Sequence, residues 1–108
     1  MPGMTPSAIA PQSLSSAVEP LRSPAIERLL VAARRGDAEA YYELGSAYSL
    51  GEGVDIDLVE AHRWYNLAAL AGLRHAQAER AALAADMAPA EIAEAQRLAR
   101  EWLASLGH

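Results

Sequence analysis

The chain has 108 residues, 52% of them apolar, no Cys and no Phe, and a net charge of −5 in which all nine basic residues are Arg. This length serves one small domain, and without Cys there can be no disulfide, thiolate nucleophile or Cys-ligated metal. The acidic balance leaves no footprint for nucleic acid and no basic face for anionic lipid, and no run approaches the ~20 apolar residues of a membrane span.

Residues 1–22 carry four of the six prolines (Pro2, Pro6, Pro11 and Pro20) among Ser7, Ser13, Ser15 and Ser16, with no sustained apolar stripe. They read as a flexible tail, in which Ile9 or Leu14 are the residues a short recognition motif would use. Met1-Pro2-Gly3-Met4 has neither the basic start nor the apolar run of a signal peptide, so a cytoplasmic location is expected.

Order is predicted from residue 23 to the C-terminus. Ser23-Pro24 is a helix start, because the hydroxyl caps free amides and proline at the first position loses no hydrogen bond. Ile26, Leu29, Leu30 and Ala33 follow on one face, and Gly36 closes the helix. Asp37 caps a second helix with Ala40, Leu44, Ala47 and Tyr48 in its stripe, broken at Gly51-Glu52-Gly53. Asp57-Leu58-Val59-Glu60 reads as a capping box, with the Glu60 carboxylate expected to reach back to the cap amide. The third helix carries Leu58, Ala61, Trp64, Tyr65, Ala68 and Ala69 and stops at Gly72. A fourth runs from about Leu73 to Asp86 behind a narrow alanine face, and Pro89 opens a fifth with Ile92, Ala95, Leu98, Ala99, Trp102 and Leu106. Ala88 stands where a capping Ser or Thr is usual, a loss of roughly 1 kcal/mol of helix stability. Ala and Leu are strong helix formers and β-branched residues are sparse, so the whole is expected to be all-α, about five helices.

A repeat underlies this order. Gly36, Ala40, Ala32 and Ala33 recur as Gly72, Ala76, Ala68 and Ala69 at an offset of 36 residues. A copied helix–loop–helix unit buries its apolar face against its neighbours, which is how solenoids are built. In order along the unit stand Ala40, Leu44, Gly45, Tyr48, Gly51, Gly53, Val54, Asp57, Ala61, Trp64, Tyr65, Ala68, Ala69 and Gly72. This pattern resembles the Sel-one-like repeat, a relative of the tetratricopeptide repeat. The resemblance covers residues 38–76, and it implies a short right-handed α-α superhelix: 23–36 a partial repeat, 37–72 a complete one, 73–106 a modified C-terminal one. Residues 23–108 then form the helical domain. In the modified unit no glycines answer to Gly51 and Gly53. Within the complete unit Gly45 is expected to let two helices touch backbone to backbone. Trp64, Tyr65 and Tyr48 are assigned to the core, and Tyr41 is expected to be exposed or against the first helix.

Chemistry finds little support in the residues. His62, expected to be solvated, His75 and His108 lack metal-ligand spacing. Glu52, Asp55, Asp57 and Glu60 read as a loop with helix-start carboxylates, short of the ligands calcium needs. Some relatives with this repeat are linked to β-lactam binding or hydrolysis, but Ser-x-x-Lys is impossible without Lys. No enzyme, metal or cofactor is therefore expected. The resemblance implies instead a protein-interaction scaffold, in a bacterial cytoplasm, that holds a peptide or partner protein on its concave face. Glu39, Tyr42, Ser46, Ser49, Leu50 and His75 are the expected partner-binding residues, with Tyr42 the anchor and Ala78, Ala82, Ala85 and Asp86 on the same side. The alternative is a self-assembling structural protein, a homodimer without a separate ligand, because few repeats are present.

Overall fold

The structure, a computed structural model, describes residues 22–107, so the sequence expectations on 1–21 and on His108 lie outside it. Five helices follow in order: α1 (Pro24–Arg34), α2 (Ala38–Leu50), α3 (Leu58–Leu70), α4 (Arg74–Ala84) and α5 (Pro89–Ser105). No strand occurs among the described residues. α1 packs on α2, while α3 is central and packs against α2, α4 and α5.

The helix starts are built by short side chains. Ser23 Oγ accepts the Ile26 amide at 3.3 Å, Asp37 Oδ1 accepts the Glu39 amide at 3.0 Å, and Asp57 Oδ1 accepts the Glu60 amide at 3.1 Å. Each satisfies a donor that the first helical turn leaves free. α4 starts at Leu73 and α5 at Ala88 with no side-chain cap to the helix amides. At Ala88 the Glu91 carboxylate accepts the Ala88 amide at 2.8 Å, so the reciprocal half of a capping box survives without its hydroxyl half.

The expected reach of Glu60 is not what forms. The Asp57 amide donates instead to the Tyr48 carbonyl at 3.0 Å, tying the loop to the end of α2. Glu60 Oε1 is then free to accept from Arg63 at 2.6 Å and from the Trp64 indole at 3.1 Å. The charge-assisted bond to arginine outcompetes a backbone amide that already has a partner.

The loop between α2 and α3 folds back onto α1. Gly53 has φ +80°, and a Cβ there would meet the Ser23 hydroxyl at 2.5 Å and Ile26 at 3.1 Å. The Ser23 amide donates to the Gly53 carbonyl at 2.9 Å, and Val54 beside it is buried. The left-handed backbone and the missing side chain are both required, so glycine is the residue that fits.

The core is one cluster, with Leu44, Trp64 and Leu67 its largest fully buried side chains. Trp64 stacks on Tyr41 at 5.9 Å between centroids and meets Trp102 edge-on at 4.8 Å. The Trp102 indole donates to the Tyr41 hydroxyl at 3.2 Å, which closes the triangle between α2, α3 and α5. Arg63 lies 4.4 Å over Trp64 and Arg34 lies 5.6 Å from the Trp102 ring, so guanidinium groups cover the cluster where it approaches solvent. Tyr41 is thus 3% exposed, which overturns the exposed placement, one of the two expected from sequence. Its cover comes from Trp102, 61 residues further along the chain.

Candidate functional site

The face of α2 adjoining Tyr41 carries Tyr42, Gly45, Ser46 and Ser49. It crosses α3 at Gly45, where a Cβ would stand 2.7 Å from the Tyr65 ring. The close approach is therefore an aromatic ring on a bare Cα rather than backbone on backbone as expected. Burial raises the Tyr65 phenol above its ordinary 10.0, and Glu79 on α4 adds to that, while Ser49 and Ser46 on α2 lower it. Tyr65 is consequently a neutral, fixed floor where α2 and α4 come together over α3.

Tyr42 is half-buried. Its ring tilts against Tyr65 at 5.4 Å and meets His75 edge-on at 4.6 Å, so it bridges α2 to the start of α4. On its other side it opens to a cleft of about 520 Å³ between α1 and α2. Ala25, Ile26 and Leu29 of α1 and Tyr42, Ser46 and Ala47 of α2 line it, and Ser23 and Gly53 close one end. Glu43 and Glu52 stand at its rim, exposed, and neither forms a salt bridge among the described residues. The cleft has an apolar floor and an acidic margin.

The sequence-predicted partner residues divide. Tyr42 and Ser46 share the cleft, and His75 touches Tyr42 while remaining exposed. Ser49 donates its hydroxyl to the Ser46 carbonyl at 3.0 Å and is half-buried beside Tyr65. Glu39 is exposed in the first turn of α2 and Leu50 is 61% exposed at its end. They lie roughly 16 Å apart along the helix axis. Ala78, Ala82, Ala85 and Asp86 are exposed along and just after α4. The cleft residues outside the sequence-predicted set include Ala25, Leu29, Glu43 and Glu52. From the sequence alone Leu29 reads as a packing residue. The available signal was the 36-residue offset, which pairs Leu29 with Tyr65.

His62 is also misplaced by the sequence reading. It is 3% exposed, and its Nδ1 has no hydrogen-bond partner. Burial holds its imidazole below the ordinary 6.5, and the Arg80 guanidinium pushes the same way. Arg80 is fixed by Asn66, one turn along α3, whose Oδ1 it reaches at 2.6 Å. No group of three or more His, Cys, Asp or Glu able to hold a metal ion occurs among the described residues. No helix among them is long and apolar enough to cross a membrane.

Two comparisons bear on what this arrangement belongs to. No family model matches the chain. The chain is similar to the alginate biosynthesis protein AlgK of Azotobacter vinelandii, 38% identical over 74 residues that make up 68% of this chain. The matched stretch is 16% of AlgK, so the chain corresponds to a small part of that relative. The similarity is consistent with a helical-repeat protein, as the spacing of Gly45, Gly51, Gly53 and Trp64 suggests.

Proposed function

We propose that this chain is a non-catalytic protein-interaction module that holds a peptide or partner protein on the face of α2 bearing Tyr42 and Ser46. The observation that carries the proposal is the cleft itself: an apolar floor beside a rigid, half-exposed tyrosine. Tyrosine offers a large contact area with few rotamers to freeze, which is why it recurs at binding hot spots. Glu39, Ser49, Leu50 and His75 extend the surface along α2 and onto α4. A single cleft of this size supports modest affinity unless a longer partner engages the rest of that surface. The similarity to AlgK makes proteins of alginate biosynthesis the first partners to test.

The test is site-directed photo-crosslinking in the native host. A benzophenone amino acid at Ser46 is compared with one at Leu70, which is exposed on α3. A partner trapped at position 46, not at 70, and lost with Tyr42→Ala is the expected result. Equal trapping at both positions, or trapping indifferent to Tyr42→Ala, would sink the assignment of this face.

A further inference from the structure

We infer that the α1/α2 cleft is the seat of a helix supplied by another chain, a short amphipathic helix with Gly or Ala at its crossing point and Arg or Lys along its flank. The inference rests on the interaction-module reading above and specifies its partner. It follows from setting the two halves of the repeat side by side. At the 36-residue offset, Ala25, Ile26 and Leu29 of α1 correspond to Ala61, His62 and Tyr65 of α3, and Glu43 of α2 corresponds to Glu79 of α4. In the second half that seat is filled by α2: Gly45 lies on the Tyr65 ring, and Tyr42 leans on Tyr65 and His75. In the first half nothing among the described residues lies over Leu29, Ala25 is exposed, and the cleft is open.

The equivalence also states what the occupant must be. Over Tyr65 the crossing residue has to be glycine; over the smaller Leu29, alanine fits as well. Glu79 has its counterpart in Glu43, and Glu52 adds a second carboxylate at the margin, neither of them in a salt bridge among the described residues. An occupant with basic flanks answers this charge, and an acidic one is disfavoured. The chain's own sequence does not supply the pattern at the corresponding place. Residues 2–14 put Met4, Ala8, Ile9 and Gln12 where α2 has Ala40, Leu44, Gly45 and Tyr48, and Pro6 and Pro11 fall within that span. The occupant is therefore assigned to a different molecule.

The probe is a stapled peptide of sequence 38–50 carrying Glu39→Arg and Glu43→Arg, titrated against the full chain by fluorescence polarisation. Saturable binding is expected. It should weaken at least tenfold with Leu29→Arg in the protein, at least tenfold with Ala25→Trp, which fills the cleft without adding charge, and at least tenfold with Gly45→Val in the peptide. Glu43→Gln with Glu52→Gln should weaken it several-fold and flatten its salt dependence. Circular dichroism confirms that each variant is folded. No saturation by about 1 mM peptide, the weak end of useful affinity, overturns the inference. So does binding indifferent to Leu29→Arg and Ala25→Trp. So does peptide binding that appears only once residues 1–21 are deleted, since the chain's own segment would then be the occupant. A partner still trapped at position 46 in the Leu29→Arg variant would overturn the helix seat alone and leave the interaction face standing.

Discussion

On one side of α2, Tyr41 stacks on Trp64 and accepts the Trp102 indole N–H at 3.2 Å. About 100° round the helix, the next residue, Tyr42, leans on Tyr65 and His75 and then faces an open cleft. The first side gathers aromatic rings from three helices, holds the polar tips of all three in hydrogen bonds, and shields them with Arg63 and Arg34. The second is apolar at its floor and carries at its rim carboxylates that form no salt bridge among the described residues. One helix thus divides a region that holds the fold together from one left available, and the contrast can be tested residue by residue.

The largest effect is expected at the centre of the aromatic side. Trp64→Ala removes a side chain 1% exposed and leaves both Tyr41 and Trp102 without their ring partner. Loss of about 3–5 kcal/mol is expected in urea denaturation, enough to unfold a marginal domain. A loss under 1 kcal/mol would mean that the rings are not the main support of the α2–α3–α5 junction. Next comes the α2–α3 crossing. Gly45→Val drives a branched side chain into the Tyr65 ring, at an expected cost of about 2 kcal/mol or more. Gly45→Val with Tyr65→Leu should recover part of it, because the clash is with one ring. No recovery would place the obstruction in the backbone.

How much of this was readable beforehand follows from what each feature depends on. The helix starts at Ser23, Asp37 and Asp57 are local chemistry, and the sequence carries them in full. Trp64 and Leu44 in the core follow from helical spacing within one unit. The full burial of Tyr41 is not legible locally, because its partner Trp102 lies 61 residues away and arrives with α5, whose placement no local pattern fixes. His62 was misjudged because it looks like a solvated neighbour of Arg63. It is in fact buried, with Arg80 of the adjoining α4, held by Asn66 of α3, near enough to act on its ring. The cleft was half legible: Tyr42 and Ser46 follow from the repeat, whereas Leu29 required asking what the copied unit lacks.

His62 gives the third prediction. Its folded-state imidazole is held below 6.5, so the native chain resists a proton that the unfolded chain accepts. Its contribution to stability is therefore whole above about pH 6.5 and is lost as the pH falls from there toward the lower folded value. Ile26, which stands at the corresponding position of the preceding unit, shows that the seat takes an aliphatic residue. His62→Leu should melt at a temperature that changes less between about pH 7 and 5 than the parent does. Identical pH profiles for the two chains would show that the ring takes up its proton equally in the folded and unfolded chain, against the burial-driven shift.

The smallest effects separate the two tyrosines most directly. Tyr41→Phe keeps the ring and removes only the acceptor of the Trp102 indole N–H. The indole is half-buried at that point, so losing its partner should cost about 1 kcal/mol. Tyr42→Phe keeps the contacts with Tyr65 and His75 and removes a hydroxyl that bonds to no described residue, so its melting point should stay within error, as surface changes usually do. Binding should reverse the order. Tyr41→Phe leaves the cleft untouched, whereas Tyr42→Phe alters a group lining it and should weaken any partner that hydrogen-bonds there. Two single-atom deletions on consecutive residues thus report stability and recognition separately, and equal melting points for the pair would mean that the two sides of α2 do not differ in the way their contacts indicate.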